Sequence, residues 1–247
     1  MFNSGFYDKR TTYILMAILI ALNLRNYASN PNAILGLVMS LPAVLIAITF
    51  HEFAHAFAAD KLGDDTPRRQ GRLNLNPLSH LDPIGSVMLV FAGFGWGKPV
   101  QINPVNFNRK RSMSASEAIV SIAGPLMNFF LAIVFAVILG IVLVATKNTS
   151  NQTVEVIITL IQYCISVNLG LGIFNLIPLP PLDGSKIFKN FLPNKAKVWY
   201  ENHYQILYLV FLIIWITPIA SMIITPLIKG AYTGIMSLVL NVVGNFI

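Results

Sequence analysis

Apolar residues come in long blocks along the chain, near 11–24, 33–59, 117–146, 153–177, 204–228 and 231–247, parted by short polar stretches. A helix crossing a bilayer needs about 20 mostly apolar residues. The blocks at 33–59, 117–146, 153–177 and 204–228 meet that length. The first block has an uncharged run only from Thr11 to Leu24, and the last is also short. Lys9 and Arg10 ahead of an apolar run would also suit a signal peptide, but no small-x-small cleavage site follows, so the block reads as a span. The expected fold is therefore an all-α polytopic membrane protein with about six transmembrane helices.

One long connection, 60–116, separates the second and third blocks. It holds turn signals at Gly63-Asp64-Asp65, Asn76-Pro77, Asp82-Pro83 and Asn103-Pro104, and an apolar run from Ile84 to Trp96 too short to cross. Arg72-Leu73-Asn74-Leu75-Asn76 alternates with period two, the pattern of a strand. This connection is expected to be a small β or re-entrant segment lying against the spans. No block resembles another at a fixed offset, which argues against a transporter built from internal repeats.

Composition strengthens the membrane reading. Of the 247 residues, 55% are hydrophobic and 11% charged, with a mean hydropathy of +0.67. A soluble domain carries about 25% charged residues, so lipid must cover much of this surface. The single cysteine, Cys164, rules out an internal disulfide. The net charge is +7, which in a soluble chain would raise the question of nucleic acid, but no folded basic domain is present to bind it. The positions of the charges point to topology instead. With six spans, fourteen of the seventeen Lys and Arg fall on one side, in the N-terminal stretch, 60–116 and 184–203. Arg25, Lys147 and Lys229 occupy the other three connections. Cytoplasmic loops carry such an excess, so both termini and the two basic segments are expected on the cytoplasmic side.

Chemistry concentrates in the second block, which contains His51-Glu52-Phe53-Ala54-His55. On a helix, residues four apart lie about 40° apart on one face, so two imidazoles can share a metal ion. Glu52 is offset by about 100° and can reach a water on that metal. The rival reading is a pair of interfacial histidines beside a headgroup-level glutamate. A third protein donor must come from elsewhere, and His80, Asp82, Asp183 and His203 are the candidates. Asp183 follows Asn175-Leu176-Ile177-Pro178-Leu179-Pro180-Pro181-Leu182, where three prolines forbid a regular helix. Extended backbone at membrane depth is tolerated where it is buried in protein or lines a wet cavity. The alternative is a proline-rich exit turn with Asp183 capping the next helix. His80, in a turn beside Asp82, is the rival ligand.

His51 through His55 and Asn175 through Gly184 together resemble the site-2 protease family of intramembrane zinc metalloproteases. Ser121-Ile122-Ala123-Gly124-Pro125-Leu126-Met127-Asn128 resembles that family's Gly-Pro-x-x-Asn element, and Gly71 to Gly85 a subgroup of small bacterial members. The similarity covers roughly 35–190. It implies a single membrane-embedded protease domain over 1–247, with its core at 33–190 and C-terminal spans at 204–247. It implies one Zn2+ per chain held by His51, His55 and Asp183, with Glu52 as catalytic base and acid. Asn175 would steady the substrate or the oxyanion, and Asn128 would pack or polarise the core. The expected activity is endoproteolysis within or near transmembrane helices of membrane-protein substrates, in a bacterial plasma membrane, with the active site toward the cytoplasm. No PDZ-like insert and no nucleotide-binding regulatory domain is expected. The alternative is a non-catalytic zinc-binding membrane protein or a metal transporter. A transporter should place further ionisable groups along several spans, whereas here they are His51, Glu52, His55 and Glu155.

Overall fold

Four helices carry the described structure because their sequences are apolar all round, leaving no polar face for water. The computed structural model describes residues 29–86, 97–146 and 151–244, with Ala17 and Ala21. Helix α1 (Pro31–Lys61) is followed by the short helices α2 (Thr66–Arg69) and α3 (Pro77–His80) and a 3-10 turn (Pro104–Asn106). Helices α4 (Met113–Ala145) and α5 (Gln152–Asn175) come next, then α6 (Asp183–Phe191), α7 (Asn194–Asn202), α8 (Tyr204–Ile216) and α9 (Ile219–Gly244). Ser112 and Asn151 cap α4 and α5 by accepting from the N–H groups of Ala115 and Val154. Among the described residues, four stretches are long and apolar enough to cross a membrane: Ala33–Lys61, Met113–Ala145, Gln152–Asn175 and Ile219–Val243.

These helices pack through small residues, the usual means of close approach where lipid offers no hydrophobic drive. Ala132, Ala136 and Leu139 of α4, Ile161, Ile165 and Leu169 of α5, and Met236 and Val239 of α9 form one buried cluster. A Cβ on Gly140 would stand 2.7 Å from Val239 Cγ1, and one on Gly172 would stand 3.0 Å from the Phe129 ring. The contacts also fix direction. Ala47 faces Asn128 while His55 faces Val120, so α1 runs antiparallel to α4. Ile228 packs against Gly170, and Val239 against Gly140, so α9 runs parallel to α4.

That direction departs from the six-span expectation. The apolar residues expected as spans 204–228 and 231–247 divide at Thr217 and Pro218 instead. Thr217 is extended (φ −101°, ψ 163°), as a residue before proline prefers, and Pro218 has no N–H to continue a ladder. Helix α8 has 13 residues, about 20 Å of length, too short to cross. Its Phe211 and Trp215 pack on Phe174 near the C-terminal end of α5. Lys229, read as lying in a connection, sits inside α9, whose C-terminal end lies opposite the end that carries 184–203. The apolar block 11–24, apart from Ala17 and Ala21, lies outside the described residues.

The 60–116 connection contains no strand among the described residues, only an isolated antiparallel bridge between Leu81 and Gly97. Residues 87–96 lie outside the described set. The alternation at 72–76 fails as a strand because asparagine side chains take the backbone donors themselves. Asn74 Oδ1 accepts from the Asn76 N–H (2.7 Å), and Asn76 Oδ1 from the Leu78 N–H (3.1 Å). Asp64 organises the remainder. It is fully buried and accepts from the Thr66 N–H and hydroxyl, the Asn103 N–H (2.6 Å) and the Asn106 amide (3.0 Å).

Candidate metal centre

His51 and His55 project from α1 with their rings edge to face and centroids 4.6 Å apart. Their Nε2 atoms are 3.0 Å apart, and Asp183 Oδ2 lies 3.1 Å from the first and 3.0 Å from the second. Both histidines are buried. The three residues offer ligand atoms within 4.8 Å of one another and could hold a metal ion; among the described residues no other group of His, Cys, Asp or Glu does so.

The helices deliver these groups for local reasons. Gly124 of α4 faces the histidines, and a Cβ there would fall 2.5 Å from His55 Nε2 and 2.6 Å from His51 Nε2. Asp183 opens α6 after the proline-rich turn. A Cβ on Gly184 would stand 2.3 Å from the Leu176 carbonyl oxygen, so glycine lets α6 press onto the end of α5. The Tyr200 hydroxyl donates to the Pro178 carbonyl (2.9 Å) and braces the same turn from α7. Burial alone would raise the Asp183 carboxyl pKa, but His55 and His51 beside it, when protonated, outweigh this and hold it far below the carboxylate range.

The imidazoles are oriented from behind. His55 Nδ1–H donates to the Val120 carbonyl (2.7 Å), and His51 Nδ1–H to Asn128 Oδ1 (2.6 Å). Each bond places the proton on Nδ1 and leaves the Nε2 lone pair toward Asp183. Two neutral imidazole nitrogens and a carboxylate oxygen around a space kept open by Gly124 fit zinc.

Glu52 stands outside that cluster. Its Oε2 accepts from the Val100 N–H (2.9 Å), and Oε1 faces Gly97. The segment 97–100 therefore lies over Glu52. It is held by Lys98 N–H to the His80 carbonyl (2.7 Å) and by the Arg72 guanidinium, which donates to the carbonyls of Ser79 and Lys98.

Of the four expected third donors, Asp183 alone joins the histidines. His80 is fully buried and donates from Nε2 to the Asn74 carbonyl (2.8 Å); burial lowers its pKa. Asp82 accepts from the Gly85 N–H (2.8 Å), and His203 bonds the Trp199 carbonyl (2.7 Å). Asn175 donates to the Leu171 carbonyl (3.0 Å) within its own helix. Asn128 is fully buried beside His51. The sequence reading missed Asn168, which meets Asn128 in the core; its signal was an amide within an apolar helix that also carries Gln162. It also missed Arg72 and Val100, whose roles rest on backbone groups that no residue pattern marks.

Residues 138–217 match peptidase family M50. The chain is 37% identical over 203 residues to a Bacillus subtilis protein named "Putative zinc metalloprotease YwhC", covering 79% of this chain and 88% of that one. It is 31% identical over 150 residues to "Putative zinc metalloprotease Rip2" of Mycobacterium tuberculosis and 30% identical to the Mycolicibacterium smegmatis protein of the same name, spanning about half the length of each (54%). No solved structure gives a significant match. With a matching metal-type cluster between α1 and α6, an apolar helical frame around it and a relative covered nearly end to end, the chain belongs to peptidase family M50, the site-2 proteases.

Proposed function

We propose that the protein is an intramembrane zinc metalloendopeptidase that hydrolyses peptide bonds within or near transmembrane helices of other membrane proteins. The observation that carries this reading is the convergence of His51, His55 and Asp183 in the apolar core, with Glu52 one residue from His51. Zinc held by those three residues would supply an acidified water and a polarised carbonyl. Glu52 accepts the proton of the attacking water and returns it to the leaving amide nitrogen. The Val100 N–H holds Oε2 and so leaves Oε1 as the proton acceptor. Asn128 keeps His51 in the tautomer that presents Nε2, and Val120 does the same for His55. Asn175 is assigned to the substrate side of the site on its place in the proline-rich motif. A helical substrate hides its carbonyls in backbone bonds and must unwind locally before one can enter.

The core of this activity lies in 33–190, with the basic segments 60–116 and 184–203 at the cytoplasmic face of a bacterial plasma membrane. One fixed cluster among the described residues favours an enzyme over a metal transporter, which needs ligands along a path. Glu52→Gln keeps side-chain size and cannot take a proton. Cleavage of a labelled single-span helix should fall by about 10²–10⁴-fold, with zinc retained. His55→Ala should lose both zinc and cleavage. Wild-type turnover by Glu52→Gln would refute the mechanism, and loss of zinc from it would make Glu52 a ligand.

A further inference from the structure

Behind His51 a chain of amides crosses three helices. His51 Nδ1–H donates to Asn128 Oδ1 (2.6 Å). The two hydrogens of the Asn128 amide go to the Ala47 carbonyl (3.1 Å) and to Asn168 Oδ1 (2.9 Å). The Asn168 amide nitrogen in turn donates to the Cys164 carbonyl of its own helix (2.8 Å). Asn128 and Asn168 are both fully buried, so no water can substitute for any of these partners.

The chain has a direction, and Asn168 sets it. Turning Asn168 over would point its oxygen at the Cys164 carbonyl and its NH2 at the NH2 of Asn128. Turning Asn128 over would point its oxygen at two acceptors, Ala47 O and Asn168 Oδ1. It would also offer an N–H to His51 Nδ1, which would then need a lone pair there and carry its proton on Nε2. That tautomer has no lone pair for a metal at the cluster. We propose that Asn168 is a positioning residue for the metal centre: by fixing the orientation of the Asn128 amide it fixes the His51 tautomer, about two side chains away from the ion. This rests on the zinc reading above.

The test is zinc affinity of the purified full chain in detergent, by competition with a chelator. Asn168→Leu removes one of the two acceptors that hold Asn128. Its zinc affinity should fall about tenfold, the lower end for outer-shell partners, because Ala47 still holds the amide. Asn168→Ala carries the same expectation should leucine prevent folding. Asn128→Asp has two equivalent oxygens and cannot flip, so adding Asn168→Leu to it should cost no further affinity. A residue that merely packs would cost the same in both backgrounds. Unchanged affinity in Asn168→Leu and Asn168→Ala, or equal losses with and without Asn128→Asp, would overturn the proposal. His55→Ala separates the two levels: if it keeps wild-type zinc affinity, the metal site itself is misplaced, whereas its loss alongside an unaffected Asn168→Leu removes only the role of Asn168.

Discussion

At the scale of single residues the centre depends as much on an absent atom as on the groups present. Gly124 is inside a helix, where glycine is unfavourable by about 1 kcal/mol relative to alanine. Yet alanine there would put its Cβ at 2.5–2.6 Å from ring atoms of both histidines, far inside contact distance. The predicted outcome for Gly124→Ala is therefore a helix that forms as well or better and a site that does not. Zinc per chain should drop sharply, and the thermal midpoint without metal should fall, because overpacking costs about 1–3 kcal/mol against the roughly 1 kcal/mol of helix propensity gained. Stoichiometric zinc in Gly124→Ala would mean that the rings have room to retreat, contrary to the packing of Val120 and Asn128 behind them. The histidines and Asp183 were legible in the sequence because their spacing and their prolines are local. Asn168 was not, since one amide in an apolar helix has meaning only beside the amide of another.

Among elements, the departures have a common physical origin. The alternation at 72–76 has the period of a strand, but two of its polar positions are asparagines, whose side chains supply the turn with its own acceptors. Likewise Lys229 suggested a break in an apolar block, yet a lysine can extend along a helix while a proline removes a bond outright, and the break falls at Pro218. Asp64 illustrates how the loops are held. Burial opposes its charge, but the Thr66 hydroxyl and the N–H and amide groups of Asn103, Asn106 and Thr66 hold its pKa below the ordinary carboxylate value. A depressed folded pKa stabilises above the unfolded pKa and loses that contribution as pH falls through the folded one. Asp64→Asn should thus be less stable at neutral pH by about 1–3 kcal/mol, with the gap to wild type closing below about pH 4 in an acid series of thermal midpoints. A gap that stays constant down to pH 2 would show that the charge of Asp64 contributes nothing.

For the whole molecule, direction in the membrane is the quantity to measure. The basic segments 60–116 and 184–203 meet at the end of the bundle that carries the metal-type cluster, and α9 leaves that end for the other. In a Cys164→Ser background, cysteines at Lys110 and at Asn148 should react with impermeant reagent from opposite sides. A cysteine at Asn241, exposed near the end of α9, should behave like the one at 148 and unlike the one at 110. Matching reactivity of 110 and 241 would restore the six-span arrangement that the charge pattern alone implies.

The separation of the two halves of the centre along the chain has a consequence for how the protein comes into being. His55 and Asp183 are 128 residues apart, and among the described residues between them two stretches are long and apolar enough to cross a membrane. A ribosome that has finished α1, α4 and α5 has produced the two histidines, but not the carboxylate that joins them in the cluster. Contacts so distant in sequence form late, after the loops between them have closed. A nascent chain that ends before residue 183 thus lacks a donor of the cluster, while α8 and α9 are still to be made when that donor arrives.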